Sequence, residues 1–325
     1  MKYVAVNRDT ATFQRQLDDQ HLINLCHRAF GDGITPCRWQ LITTGKFNTS
    51  YRIEFDQRAT VVLRVAPPAD AIIFQHEQLL LRREATVQQQ LRTISDLVPQ
   101  NLFTDFSREL IDRDYVFQPC LPGVLWESVK DQLSETENHA LWQQFGSIVK
   151  KIHALPGTHF GQPSPGKNHT SWGDAMLSWV TEMVEDMQRY QLPREDAMHF
   201  LQLLEKHKPS LDEVTQASLV HGDLWLKNIL IERSNGSANI TAVLDAERAF
   251  LAEPAAEWIF SFFDLPAIFW QQYGTLPKGN SSQIRNRLYE GRGAIQLCLE
   301  AWRFNFDDAF ARKILQQTII ALEGS

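Results

Sequence analysis

Long uncharged stretches are missing from this 325-residue chain. No segment reaches the roughly 18 apolar residues of a bilayer-spanning helix, so no membrane span is expected. Cysteine is scarce. Cys26, Cys37, Cys120 and Cys298 stand apart, with no CxxC pair and no histidine at metal-ligand spacing. That excludes a disulfide scaffold or a cysteine zinc site and predicts reduced thiols. The ten histidines form neither HxH nor HExxH, which leaves a metal hydrolase without its ligands. Repeats and low-complexity tracts are also lacking. Lysine and arginine form no cluster that could track a nucleic-acid backbone, and the formal charge is -7, which favours a cationic partner over an anionic one. The opening MKYVAVNRDTATFQRQLDDQ mixes charge and polarity, unlike a signal peptide. The expectation is a cytoplasmic protein, monomer or homodimer, with neither nucleic acid nor membrane as partner.

What is present is ordinary for a globular chain: 43% apolar and 22% charged residues, at a length that buries a sizeable core in one large domain or two lobes. Leu22, Ile23, Leu25, Cys26 and Phe30 recur near helical spacing before a Gly-Asp-Gly stop. Two β-branched, aromatic runs follow, TPCRWQLITTGKFNTSYRIEF and ATVVLRVAPP, which predict strands. A helical pattern extends from about residue 71 to 92, and NLFTDF and LIDRDYVFQPC add strands. Strands, one helix and strands again describe a small mixed lobe.

Beyond Leu121 the pattern is mainly helical. ENHALWQQFGSIVKKIHAL is amphipathic, with Ser134 and Glu137 spaced as a capping box. GTHFGQPSPGKNHTSWG is dense in Gly, Pro, Ser and Asn and predicts a loop; helices resume at MLSWVTEMVEDMQRY and EDAMHFLQLLEKH. A strand-rich island, SLVHGDLWLKNILIERSNGSANITAVLDAERAF, interrupts them with NILIE and ITAVLD joined by a Ser-Asn-Gly-Ser turn, a hairpin signal.

That island carries the chemistry. Asp223 and Asn228 stand five apart on a short loop, and Asp245 follows seventeen residues beyond Asn228. Phosphoryl transfer needs a carboxylate near the attacking hydroxyl, hard oxygen ligands for Mg²⁺, and donors on the phosphates. HGDLWLKN resembles the His-Gly-Asp-x-x-x-x-Asn catalytic loop of the aminoglycoside phosphotransferase and fructosamine/choline kinase group, and VLDAE resembles its metal-binding Asp. The resemblance implies an α+β, two-lobed protein-kinase-like fold. Its parts would be a small β-rich nucleotide-binding lobe over residues 1–117, a hinge over 118–123, and a larger helical lobe over 124–325. ATP and Mg²⁺ would be the cofactors. Asp223 would orient the substrate hydroxyl or accept its proton, His221 would stiffen the loop, and Asn228 and Asp245 would ligand the metal.

The same resemblance makes demands on the first section. Thr43–Ser50 would be the loop over the phosphates, with Thr44, Gly45, Asn48 and Ser50 as its contacts. Arg64 in VVLRV would stand where protein kinases place lysine. Glu77 and Glu84 lie seven apart on the expected helix, and Glu84 is chosen as the arginine's partner. Gln118 and Cys120 would mark the adenine-holding hinge through backbone groups. Glu257, where relatives carry Asp, would anchor the catalytic loop, and His153 reads as a packing or capping residue.

For the acceptor, Glu182, Glu185 and Asp186 on one helix face, with Asp264, Trp225 and Trp270, would suit a small hydroxylated cation. The region from Ala246 to Trp258 resembles antibiotic-modifying members such as viomycin or hygromycin phosphotransferases, so an aminoglycoside or cationic peptide antibiotic is the expected acceptor. An endogenous metabolite of choline, homoserine, fructosamine or sugar type, and a non-catalytic pseudokinase, are the alternatives.

Overall fold

The computed structural model describes residues 2–4 and 13–324; residue 1, residues 5–12 and residue 325, including the start of the expected nucleotide-binding section, lie outside the described residues. Alternation of apolar side chains builds the principal sheet. It contains β1 (Lys2–Val4), β2 (Arg38–Ile42), β3 (Thr49–Glu54), β4 (Val61–Val65), β5 (Phe103–Asp105) and β6 (Tyr115–Pro119). The order is β1-β2-β3-β4-β6-β5, antiparallel except for the β1–β2 pair. In β4 the buried residues are Val61, Leu63 and Val65, which join Leu22, Leu25 and Cys26 of α1 (Asp19–Phe30) in one apolar cluster. Successive side chains leave a strand on opposite faces, so Arg64 emerges on the face away from α1. Alternation alone aims that guanidinium.

The helix expected over residues 71–92 is split. Only α2 (Leu80–Leu91) is α-helical. A single 3₁₀ turn spans Gln75–Glu77, and Leu79 sits in the left-handed region at φ 59°. Residues 74–78 find better partners outside their own backbone. The Gln75 N–H donates to Asp186 Oδ2 at 2.7 Å, its side-chain amide donates to Glu185 at 3.0 Å, and Glu77 accepts from the Phe74 N–H. Glu77 and Glu84 therefore do not share a helix face.

The remaining chain is mainly helical. After β7 (Val124–Leu125) come α3 (Trp126–Val129) and α4 (Glu135–His153). The capping box holds: the Glu137 N–H donates to Ser134 Oγ, and the Ser134 N–H donates back to Glu137 Oε2. The expected loop over 157–173 contains two short strands, β8 (Phe160–Gly161) and β9 (Asn168–His169), and its last residues already begin α5 (Trp172–Arg189). Then come α6 (Glu195–Asp212), β10 (Ser218–Val220), the hairpin β11 (Ile229–Ser234) and β12 (Ser237–Val243), and β13 (Phe250–Ala252). Asn235 and Gly236 both take positive φ at the hairpin turn, the primed geometry that matches strand twist. The chain ends with α7 (Trp258–Phe262), α8 (Ala267–Tyr273), α9 (Asn280–Phe304) and α10 (Ala309–Glu323). A second, larger apolar cluster holds these helices together around Trp126, Trp172 and Phe200. No described helix is long and apolar enough to cross a membrane.

Asp186 is fully buried on α5, so replacing it strands the partly buried Gln75 N–H. Asp186→Ala is expected to lower unfolding free energy by about 1–3 kcal/mol in denaturant titration and to speed proteolysis within residues 71–79. An unchanged midpoint would show that this docking contributes nothing.

Candidate active site

Strand β10 delivers the chain into His221-Gly222-Asp223. Gly222 has φ +79°, and a Cβ there would lie 2.2 Å from the Arg248 carbonyl oxygen, so no other residue fits. The loop is held from beneath by Glu257, whose two oxygens accept the N–H groups of His221 and Gly222, each at 2.9 Å. His153 Nε2 lies 3.2 Å from the same carboxylate, and its Nδ1 lies 2.9 Å from the Tyr273 hydroxyl. Burial pushes the Glu257 carboxyl up, but His153 and the backbone amides outweigh it and hold the group below its ordinary range. The additional methylene relative to aspartate still reaches both amides. His221 is buried, and burial pushes its pKa down.

Asn228 Nδ2 donates to Asp223 Oδ2 at 2.8 Å and to the Asp223 carbonyl at 2.9 Å. This leaves the Asn228 side-chain oxygen out of the contact. The Leu244 N–H donates to the Asn228 carbonyl at 2.8 Å, which brings the His221–Asn228 loop alongside the end of the hairpin. Asp245 follows in the left-handed region at φ 66°, ψ 51°. Burial pushes the Asp223 carboxyl well above its usual range; Arg248 and Asn228 pull it down, while Asp245 pushes it further up. Asp223 and Asp245 thus feel each other's charge.

Arg64 ties the sheet to this centre. Its Nη1 donates to both oxygens of Glu84, at 2.6 and 2.7 Å, and its Nη2 donates to Asp245 Oδ1 at 2.5 Å and Glu247 Oε2 at 3.1 Å. Of the two glutamates weighed as its partner, Glu84 is the one in contact; Glu77 instead pairs with Arg248 and Arg303. Asn48 Nδ2 adds a bond to Glu247 Oε2 at 2.5 Å. Glu84, Asp245 and Glu247 each offer an oxygen within 4.8 Å of the others. One guanidinium does not neutralise three carboxylates, and burial pushes both Glu84 and Glu247 up. Glu247 is the residue that sequence reasoning missed. The available signal was a second carboxylate two positions after Asp245, on a 3₁₀ turn that folds it back toward the same space.

The other expected residues fall into three groups. Thr44 and Gly45 lie on the exposed turn between β2 and β3, where a Cβ at Gly45 would meet nothing, and Ser50 pairs in register with Arg64. Gln118 is buried and donates to Asn101, while the Cys120 N–H is engaged by the Thr60 carbonyl at 3.2 Å. The acidic face of α5 is spent within the protein: Glu182 binds Lys167, and Glu185 and Asp186 bind Gln75. Trp270 is stacked on Phe260, and Trp225 lies beside Phe263 with Lys227 over its ring. Asp264 is exposed.

A family model described as the phosphotransferase enzyme family matches residues 38–277. Comparison with curated protein sequences gives no match. Solved structures of similar fold include a thermostable mutant of aminoglycoside phosphotransferase APH(4)-Ia in its apo form. It is 21% identical, with a TM-score of 0.64 over 95% of this chain and 100% of that chain. A structure of APH(2″)-IIIa is 17% identical, with a TM-score of 0.60 over 94% of this chain and 98% of that chain. The fold is the protein-kinase-like α+β fold expected from the motifs.

Asp223 supplies a test independent of any ligand. Its folded pKa is raised, so the folded state holds a proton that the unfolded chain has released, and stability must fall as pH climbs from the ordinary carboxylate range to the raised value. Asp223→Asn is expected to flatten that fall and to match or exceed the parent's melting temperature at neutral pH. A variant with an unchanged pH slope and a lower melting temperature would contradict the assigned burial cost.

Proposed function

This chain belongs to the phosphotransferase enzyme family, and from that premise we propose that it transfers the γ-phosphoryl group of ATP to a hydroxyl of a small molecule. The observation that carries this reading is the Asp223–Asn228 hydrogen bond beside Asp245, itself tied to Arg64 and Glu84. The acceptor oxygen would form a bond to the γ-phosphorus as the β,γ-bridging P–O bond breaks and its electron pair leaves on ADP. The hydroxyl proton would go to the Asp223 carboxylate and then to solvent. A carboxylate whose burial raises its proton affinity suits that task.

The donor set fits magnesium. Asp245 has a side chain 35% exposed, and Asn228 keeps an amide oxygen free of the Asp223 contact; both are hard oxygen ligands. Asp245 and Asn228 would hold Mg²⁺, which when bound supplies charge neutralisation and orientation of the phosphates. Arg64, a permanent forked donor, would address phosphate oxygens on release from Asp245 and Glu247. The turn carrying Thr44, Gly45 and Asn48, with Ser50 after it, would cover them. Residues 1–117 would form the nucleotide lobe and 118–123 the crossing to the helical lobe over 124–325. Because the Cys120 N–H already bonds Thr60, adenine would use carbonyls and other backbone donors of that crossing.

Among the relatives of this fold, an APH(4)-Ia mutant was solved as a ternary complex with AMP-PNP and hygromycin B, and APH(2″)-IIIa with GDP and kanamycin. Aminoglycosides therefore open the acceptor panel, with hydroxylated metabolites beside them.

Mg·ATP at one hundred times its dissociation constant is expected to stabilise the folded state by about 2.7 kcal/mol, seen as a higher melting temperature. Asp223→Asn should keep that shift while turnover falls by about 10²–10⁴. A protein that neither binds Mg·ATP nor loses turnover in this variant would remove the proposal.

A further inference from the structure

A cavity of about 20 Å³ shares the wall of the catalytic loop at Gly222. His76 and Arg83 line it from the segment around α2, Trp179 from α5, Arg248 from the turn after Asp245, and Arg292 from α9. None of these lining residues is among those assigned above to the nucleotide or the metal. The lining is basic. Arg248 pairs with Glu77 at 3.3 Å and Glu300 at 2.9 Å, and the neighbouring Arg303 shares Glu77.

Those two carboxylates are thereby used. Arg83 and Arg292, only 3% and 4% exposed, have no carboxylate partner among the described residues. Arg83 makes a bond to the His76 carbonyl at 2.7 Å, and Arg292 makes one of 3.3 Å to Gln296 and lies 4.5 Å above the Trp179 ring. Burial pushes both guanidinium groups down to about 10, so both remain charged near neutral pH. Glu247 and Glu182 act on Arg83 through space, but Arg64 and Lys167 already pair with them.

Hydrogen-bond accounting gives the same sign independently. Among the described residues, Arg83 Nε, Trp179 Nε1 and both ring nitrogens of His76 are buried without a partner. Burial, with Arg248 nearby, pushes the His76 pKa well below its usual value, so the ring is neutral and offers one N–H. Buried cations and donors without acceptors are costly to leave unpaired. A group with several acceptor oxygens and negative charge would satisfy all of them at once, and fork-shaped guanidinium groups match carboxylates and phosphates in particular.

We propose that this cavity seats an acidic group of the acceptor, a carboxylate or a phosphate ester, so that the hydroxyl delivered to Asp223 belongs to an organic acid. The proposal rests on the phosphotransferase reading. It names the opposite charge class from the polyamine-like acceptor expected from the acidic face of α5. The cavity is large enough for one small group, and Gly222 precedes Asp223 directly, so the remainder of such an acceptor would lie on the Asp223 side.

The test uses the full chain with the nucleotide site filled by Mg²⁺ and a non-hydrolysable ATP analogue. Inorganic phosphate, against chloride at matched ionic strength, should raise the melting temperature. The apparent phosphate affinity should weaken at least tenfold in Arg292→Gln and fall less in Arg292→Lys. Trp179→Phe, which removes the indole N–H with its five-membered ring but keeps an aromatic face beside Arg292, should weaken it severalfold and covers the case in which Arg292→Gln does not fold. No phosphate-specific shift in the parent, or an equal shift in the variants, overturns the proposal.

A turnover arm uses matched acceptors, each a hydroxy acid or sugar phosphate against its neutral parent. Arg292→Gln should raise KM for the acid at least tenfold with kcat changed less than threefold, and leave KM for the neutral partner unmoved. Phosphate that competes with the acid identifies the cavity as an acceptor subsite. Phosphate that alters turnover without competing shows a free-anion site and overturns the acceptor assignment. Should Mg·ATP fail to bind while phosphate still does, the phosphotransferase reading fails and the acceptor assignment with it, whereas the anion site itself stands.

Discussion

The structure turns on the four bonds of the Arg64 guanidinium. One side chain from β4 reaches Glu84 on α2 and, through its other nitrogen, Asp245 and Glu247 beyond the hairpin. Those partners come from stretches as much as 183 residues apart in the chain, and the Arg64 guanidinium offsets part of the burial cost of Glu84 and Glu247. Alternation along β4 decides which face Arg64 takes, the split before α2 decides where Glu84 arrives, and the turn after β12 decides where both later carboxylates point. Removing any one of these leaves a buried ion without its counterpart, which costs more than the pair contributes.

A centre assembled this way holds more negative charge than its cation offsets. Asp223, Glu84 and Glu247 are all pushed toward protonation, with burial the foremost cause in each. The same excess is what a cation would relieve, and the phosphates that accompany a nucleotide-bound metal would in turn take up Arg64. The arrangement is a closed circuit of ions, and under the proposed function nucleotide binding would exchange some of these internal partners for external ones. Glu257 stands apart from that exchange. It is ionised, buried and bonded by three backbone N–H groups and a histidine, so the loop is anchored within the protein itself.

Much of this was legible in the chain because it is local. The capping box at Ser134 and Glu137, the hairpin with its Asn-Gly turn and the His-Gly-Asp loop all depend on residues within a few positions of one another. The failures are cases where a distant partner decides. Residues 71–79 carry an adequate helical pattern, yet Asp186 and Glu185, more than a hundred positions away, offer Gln75 stronger contacts than the next turn would. The acidic face of α5 looked solvated or substrate-facing for the same reason. Glu247 gave no pattern signal in the chain because the 3₁₀ turn that returns it to Arg64 has no periodicity to read.

Net charge and buried charge favour acceptors of opposite sign. A formal charge of -7 averages over a surface where carboxylates are screened and cheap, and screening leaves little of their field inside. Within the fold the balance is set by the few ions that water does not reach. Around His76 and Trp179 that local balance is positive, because Arg248 and Arg303 take up Glu77 and Glu300 while Arg83 and Arg292 have no carboxylate partner among the described residues. Low dielectric makes each unmatched charge there count for more than several on the outside. The sign of a small ligand is thus better inferred from buried groups lacking partners than from the chain's total, and the two point in opposite directions in this protein.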